Sequence, residues 1–293
     1  MKLHICQPHG YCEGVMRAIT IALNKRKEHP NTPIAILGML VHNEFVIELL
    51  EKHNIMTINR PTIDGDNSYL GNLPKDTLII FTAHGHPLYY EDLITSFGLT
   101  YIDATCPKVE ITHDIINEAL NNNQDIIYIG QSNHPETEAA LSIDDKRIFL
   151  YDLNDKLDFS RVKHQTPKVV NQTTLAINEL EHVHNHILEN IPGAEIHDEI
   201  CRATRMRQEA VKNIPADVDL IYIVGSTHSN NTKKLVDVAR ISHPHADVYH
   251  IQSVADITPH QYENKKSAAV AAGASTPLHV TREVINHLKQ LPE

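Results

Sequence analysis

Three short apolar runs in this chain lead to a cysteine and pass at once into a helical pattern, and the cysteines are almost equally spaced. Lys2-Leu-His-Ile leads towards Cys12, then Val15, Ile19, Ala22 and Leu23; Leu99-Thr-Tyr-Ile leads to Cys106; Glu195-Ile-His leads to Cys201, then Ala203, Met206, Ala210, Val211 and Ile214. Cys12, Cys106 and Cys201 lie 94 and 95 residues apart, the mark of a unit of about 95 residues used three times. Such a chain is expected to form three lobes that bring three sulfurs to one centre.

The rest of each unit repeats too. An apolar strand ending in glycine follows each cysteine helix: Ile34 to Gly38, Ile126 to Gly130, Leu220 to Gly225. Four residues past each glycine stands a polar group, His42, His134 or Ser229, and then another helical pattern. A third strand-to-helix junction closes each copy: Thr82-Ala-His84-Gly, Gln172-Thr173-Thr174 and Gly273-Ala-Ser275. Strands alternating with helices predict an α/β fold with small parallel sheets, whose carboxyl-end loops line a common crevice. The expected limits are 1–104, 105–199 and 200–281 for the lobes, with 282–293 as a C-terminal helix or tail. The polar segments 59–75 and 143–166 read as surface connections.

Composition narrows the function. The formal charge of −11 argues against a broad nucleic-acid surface, which needs cations to neutralise phosphates. No apolar run approaches the ~18 residues of a membrane span, and the opening residues lack a signal-peptide pattern, so a cytoplasmic location is expected. Four cysteines in 293 residues do not make a disulfide framework, which leaves metal binding or catalysis. Cys6, outside the repeat, is expected to be an inert core thiol.

Three thiolates with no fourth protein ligand could hold a 4Fe-4S cluster with one iron open, or zinc with one of the 21 histidines. Buried, unliganded cysteines are the plain alternative, weakened by their recurrence in three copies. His42, His84, His134, Ser229, Asn231 and Ser275 are neutral hydrogen-bonding groups at strand-to-helix junctions, where free N–H groups favour an anion. Helix capping is the simpler role for a single Ser or Asn there. Glu136 and Thr173 are candidates for proton delivery, the carboxyl through a raised pKa and the hydroxyl as a relay.

The motifs Gly10-Tyr-Cys-Glu-Gly, Leu40-Val-His-Asn, Ala83-His-Gly, Asp103-Ala-Thr-Cys-Pro, His134-Pro-Glu, Asn171-Gln-Thr-Thr, Ile200-Cys-Arg-Ala-Thr and Ser229-Asn-Asn-Thr together resemble the 4-hydroxy-3-methylbut-2-enyl diphosphate reductase (IspH/LytB) family over residues 3 to 285. The resemblance implies a trefoil of three α/β lobes around a 4Fe-4S cluster held by Cys12, Cys106 and Cys201. It implies that His42, His84, His134, Ser229, Asn230, Asn231 and Ser275 grip a diphosphate, that Glu136 passes protons with help from Thr173, and that ferredoxin or flavodoxin delivers electrons. The reaction it implies turns the allylic alcohol into isopentenyl and dimethylallyl diphosphates. Asn230 stands where the family usually has a second serine, Gln131 where many members have His, and His9 and Tyr11 replace the usual Arg and Phe. A quinolinate-synthase-like lyase, with a similar three-cysteine centre, and a non-enzymatic metal or diphosphate sensor are the rival readings.

Overall fold

Runs of β-branched residues make the strands, and unbroken apolar runs make the central ones. Ile34-Ala-Ile-Leu is buried at every position, as are Leu78–Phe81, Ile126–Gly130, Leu220–Val224 and Ser267–Ala272, the signature of strands covered on both faces. The computed structural model describes residues 1–62, 65–155 and 157–291, and these runs form the middles of three four-stranded sheets.

The chain opens with β1 (Lys2–Ile5) and then lays down β2 (Ile34–Leu37), β3 (Ile55–Ile58), β4 (Leu78–Phe81) and β5 (Thr100–Asp103), paired in the order β3-β2-β4-β5. The next four, β6 (Ile126–Gly130), β7 (Ile148–Asp152), β8 (Lys168–Asn171) and β9 (Glu195–Ile196), repeat that order as β7-β6-β8-β9. In the third sheet β10 (Leu220–Val224), β11 (Asp247–Ile251) and β12 (Ser267–Ala272) take the first three places, and β1 takes the fourth, giving β11-β10-β12-β1. Every pairing is parallel.

The first lobe carries the helices α1 (Glu13–Glu28), α2 (Glu44–Glu51) and α3 (Tyr89–Ser96), and the second carries α4 (Pro107–Asn121), α5 (Pro135–Leu141) and α6 (Ile177–Asn190). The third has α7 (Arg202–Lys212), α8 (Asn230–Ser242), the short α9 (Pro259–Tyr262) and α10 (Leu278–Gln290). Alternate strand residues face opposite sides, so each sheet has two cores. In the first lobe Ile34, Ile36 and Ile80 meet Val15, Ala18, Ile19 and Ala22 of α1, while Leu37, Ile79 and Phe81 meet Tyr90 and Ile94 of α3. Among the described residues no helix is long and apolar enough to cross a membrane.

Two features differ from expectation. First, each sheet has a fourth, outer strand, β3, β7 or β11, that motif reading passes over; β7 lies inside the segment 143–166 taken for a surface connection. These strands sit at sheet edges and their carboxyl ends carry no site motif, so nothing but a short run of Ile, Phe, Tyr or Val marks them. Second, sheet three is completed by the first strand of the chain, and α10 runs unbroken across position 281.

The cysteines therefore stand where the chain passes from one lobe to the next. Their backbone N–H groups are held alike: Cys12 N donates to Ala274 O at 2.9 Å, Cys106 N to Ala83 O at 3.0 Å and Cys201 N to Thr173 O at 3.1 Å. Arg207 of α7, only 4% exposed, adds a further tie by donating from Nη2 to Gly10 O at 2.7 Å.

Arg207→Met should strand the Gly10 carbonyl and lower the stability of the metal-free protein by about 1–3 kcal/mol. Arg205→Met breaks only a half-exposed ion pair with Asp198 and should cost less than about 1 kcal/mol. Urea denaturation of the two variants side by side checks the difference.

Candidate active site

The nine motif loops meet at one cavity of ≈ 90 Å³. Each sheet supplies three, from the carboxyl ends of its two inner strands and of the strand that precedes a cysteine helix. All twelve site residues expected from the sequence line it: Cys12, Cys106, Cys201, His42, His84, His134, Glu136, Thr173, Ser229, Asn230, Asn231 and Ser275.

Each cysteine is the N-cap of its helix, with extended backbone dihedrals: Cys12 for α1, Cys106 for α4 with Pro107 in the first turn, and Cys201 for α7. Three helix N-termini thus point their free N–H groups and positive dipole ends at the sulfurs, an arrangement that favours thiolates. Burial opposes this and raises the Cys106 and Cys201 thiols; for both, the neighbouring Cys12 adds repulsion, and Glu136 adds to it at Cys201. All four cysteines are free, and Cys6 is buried away from the cavity with its thiol pushed up to about 12. Gly14 leaves room for Cys106, since a Cβ there would stand 2.5 Å from its Sγ.

His42, His84 and His134 come one from each of the loops after β2, β4 and β6 and form a single cluster. His42 stacks on His84 at 4.2 Å between ring centroids, and His134 meets both edge-on at 5.5 Å. Burial, followed by nearby positive charge, lowers their pKa values, to about 4 for His42 and about 3 for His134, so the rings are neutral. The N–H of Glu136 donates to His134 Nδ1 at 3.2 Å, which puts the His134 proton on Nε2. Nε2 of His134 and of His84 are both buried with no partner, as befits donors awaiting a ligand.

Glu136 is 1% exposed. Its Oε1 accepts from Thr173 N at 2.6 Å and its Oε2 from Thr173 Oγ at 3.2 Å. Both bonds favour the carboxylate, yet burial outweighs them and raises its pKa to about 7.

The third-lobe groups are more engaged. Ser229 caps α8, its Oγ accepting from Thr232 N, and Ser275 Oγ donates to His42 O at 3.3 Å. Asn231 accepts from Ala274 N at 3.0 Å and donates to Thr204 Oγ at 3.1 Å. Asn230 donates across the lobe boundary to Thr174 Oγ at 3.2 Å, so the longer amide in the serine's place fastens lobe three to lobe two.

Four residues at the site were not singled out from sequence: Lys108, Thr174 and Thr204 line the cavity, and Arg60 lines a neighbouring pocket with His42 and His134. Thr204 lies 3.1 Å from Cys201 Sγ, at N3 of the helix that the cysteine caps, and a hydroxyl three residues past a capping thiol is a signal that could have found it. Thr174 receives Asn230. Arg60, in a segment read as a mere connection, pairs with Glu138 of lobe two at 2.5 Å and lends positive charge to all three histidines.

Comparison with known proteins gives the same outline. Residues 3–289 match the model of the LytB protein family. The chain is 39% identical to a 4-hydroxy-3-methylbut-2-enyl diphosphate reductase of Brevibacillus brevis, covering 100% of this chain and 93% of that one. To the reductase of that name from Lysinibacillus sphaericus it is 38% identical, covering 100% and 90%. The solved E-1-hydroxy-2-methyl-but-2-enyl-4-diphosphate reductase of Plasmodium falciparum superposes with a TM-score of 0.88 at 28% identity, over 99% of this chain and 89% of that one. A second solved reductase, described as the terminal enzyme of the non-mevalonate pathway, superposes at 0.67 with 25% identity, over 99% and 100%. With motif loops, sheet order and full-length similarity in agreement, the chain belongs to the LytB protein family.

Proposed function

We propose that this chain is a 4-hydroxy-3-methylbut-2-enyl diphosphate reductase, which removes the allylic hydroxyl of its substrate to give isopentenyl and dimethylallyl diphosphates in the last step of the non-mevalonate route to isoprenoids. Two electrons and two protons enter; one proton leaves with the hydroxyl as water and the other ends on carbon. The observation that carries the reading is the meeting of three cysteines, three neutral histidines and one carboxyl of raised pKa in a single buried cavity, in a chain whose relatives bear that name.

Cys12, Cys106 and Cys201 would hold a 4Fe-4S cluster with one iron free of protein ligands. Among the described residues no three His, Cys, Asp or Glu side chains gather closely enough for one metal ion. Lone zinc, whose ligand atoms converge to ~2.0–2.3 Å from a point, therefore suits this donor set poorly, and a cluster that meets each thiolate at its own iron suits it well. When bound, the cluster supplies single electrons and a Lewis-acidic iron for the hydroxyl. A ferredoxin or flavodoxin is the donor of matching chemistry.

The protein's own groups do the rest. The Nε2–H of His134 and the neutral rings of His84 and His42 beside it give a diphosphate hydrogen-bonding partners without burying a second set of charges. Ser229, Asn230, Asn231 and Ser275 complete that anion site. Burial disfavours the charge of Glu136 and raises its pKa to about 7, so a large share of the molecules carry its proton at neutral pH, and Thr173, bonded to both carboxyl oxygens, is placed to relay it.

Anaerobically prepared protein should be brown and contain iron and sulfide, and Cys106→Ser should deplete both. Gly14→Ala should do the same by crowding the Cys106 sulfur, while Cys6→Ser should leave the content unchanged. Stoichiometric zinc without iron would sink this reading of the cysteines.

His134→Ala removes one donor to a buried anion and should weaken inorganic diphosphate binding by about ten- to a hundredfold. Calorimetry measures it, and an unchanged affinity would move the anion away from the histidines.

Glu136→Gln should keep the cluster and bind substrate, yet lose about 10²- to 10⁴-fold in turnover with a chemical reductant. Wild-type turnover should fall as pH rises through about 7, as the carboxyl loses its proton, and the variant's residual rate should not follow that curve. The same shift bears on stability. A carboxyl whose folded pKa exceeds its unfolded 4.5 contributes fully below 4.5, and the contribution is lost as pH rises through about 7. Glu136→Gln should flatten that loss in thermal melts.

A further inference from the structure

One hydrogen-bond path in the centre ends on sulfur, and its direction can be derived. The Ala274 N–H can only donate, and it lies 3.0 Å from Asn231 Oδ1. This settles which end of the Asn231 amide is which, so its Nδ2, 3.1 Å from Thr204 Oγ, donates to that hydroxyl. The Thr204 oxygen is thereby an acceptor and its proton is left to give. Its neighbour is Cys201 Sγ at 3.1 Å, and the Thr204 N–H stands 3.4 Å from the same sulfur. Thr204 is 1% exposed and Asn231 6%, so bulk water does not compete. Among the described residues no hydroxyl is bonded to the sulfur of Cys12 or Cys106, which makes the three thiolates unequal.

We propose that Thr204 is a positioning residue for the metal centre: its hydroxyl, turned by Asn231, donates to the Cys201 sulfur and raises the reduction potential of the cluster. The inference rests on the reading of Cys12, Cys106 and Cys201 as cluster ligands. Reduction adds negative charge that spreads onto the sulfurs, and a donor aimed at one of them is bound more strongly in the reduced state than in the oxidised one. The path crosses three segments, the Gly273–Ser275 loop, the start of α8 and the first turn of α7. The donor is therefore oriented by tertiary structure before any metal is loaded, which lowers the cost of reorganisation on electron transfer.

Thr204→Val keeps the shape and removes the proton, and Thr204→Ser keeps the proton. In a redox titration of the anaerobically loaded protein, followed by visible and EPR spectra, the valine variant should be harder to reduce by about tenfold in the equilibrium constant, or ~59 mV for a one-electron couple. The serine variant should titrate like wild type. Thr204→Ala carries the same expectation should the valine variant not load. An unchanged potential in either hydroxyl-free variant overturns the proposal, as does a serine variant shifted as far as valine. A loss of inorganic diphosphate affinity in Thr204→Val with no change in potential also overturns it and moves Thr204 to the anion site. Wild-type protein that takes up no iron and sulfide overturns instead the reading of the cysteines, and a metal-free melt of each variant separates that result from misfolding.

Discussion

Three sulfurs aimed into one buried cavity set the terms for everything around them. Burial makes charge on them costly, and as thiolates they also repel one another, which is why the Cys106 and Cys201 thiols are raised. The fold answers with three helix N-termini, one behind each sulfur, but partial charges at helix ends offset only part of such a penalty. A cationic centre among the sulfurs removes the rest. On the proposed reading, cluster binding and lobe association are therefore one event, because each cysteine stands at a lobe crossing and its N–H is bonded into a motif loop beside it.

The same burial explains the unusual chemistry of the anion site. A lysine placed there would have to lose its charge or find a partner before the ligand arrived. Neutral imidazoles avoid that cost: His42 and His134 are pushed to about 4 and about 3, and the Nε2 atoms of His84 and His134 are buried without partners. Full positive charge is left to groups that solvent still reaches: Lys108, exposed although it lines the cavity, and Arg60, paired with Glu138 and open to solvent over a third of its side chain. In such a cavity the incoming diphosphate brings the charge, and Glu136, already inclined to hold its proton, is pressed further towards the acid form by that neighbour. One physical cause, desolvation, thus gives imidazoles that are neutral and a carboxyl whose pKa is raised to about 7.

Much of this was legible in the residues. Equal cysteine spacing announced three lobes, and glycine-ended apolar strands followed by polar groups announced the loops that wall the cavity; the twelve candidate site residues in those loops lie on it, whereas Gln131, His9 and Tyr11 do not. What escaped has physical reasons. The edge strands β3, β7 and β11 are less completely buried than the central ones and lead into no site motif, so a reading that follows the motifs passes over them. The pairing of β1 with β12 joins the two ends of the chain, and a repeat read in one direction assigns that strand to the lobe it precedes. Asn230 was seen as a departure from the family pattern, but its bond to Thr174 belongs to a boundary between lobes, which local sequence does not encode.

The offset between repeat and sheet is the deeper consequence. A unit that began and ended with its own sheet would give three self-sufficient lobes and would leave any centre between them to chance contacts. Here the strand before each cysteine belongs to one sheet, and the helix after it packs on the next: β1 lies in sheet three while α1 covers sheet one. Ring closure then needs the first strand to return to the last sheet, which β1 does along β12 with four residue pairs in register. No lobe can shift without moving a cysteine, and no cysteine can shift without disturbing two lobes. Sulfurs placed at the joints of a closed ring are positioned by the whole fold rather than by a local loop, and that is how 94- and 95-residue separations in sequence become a single site in space.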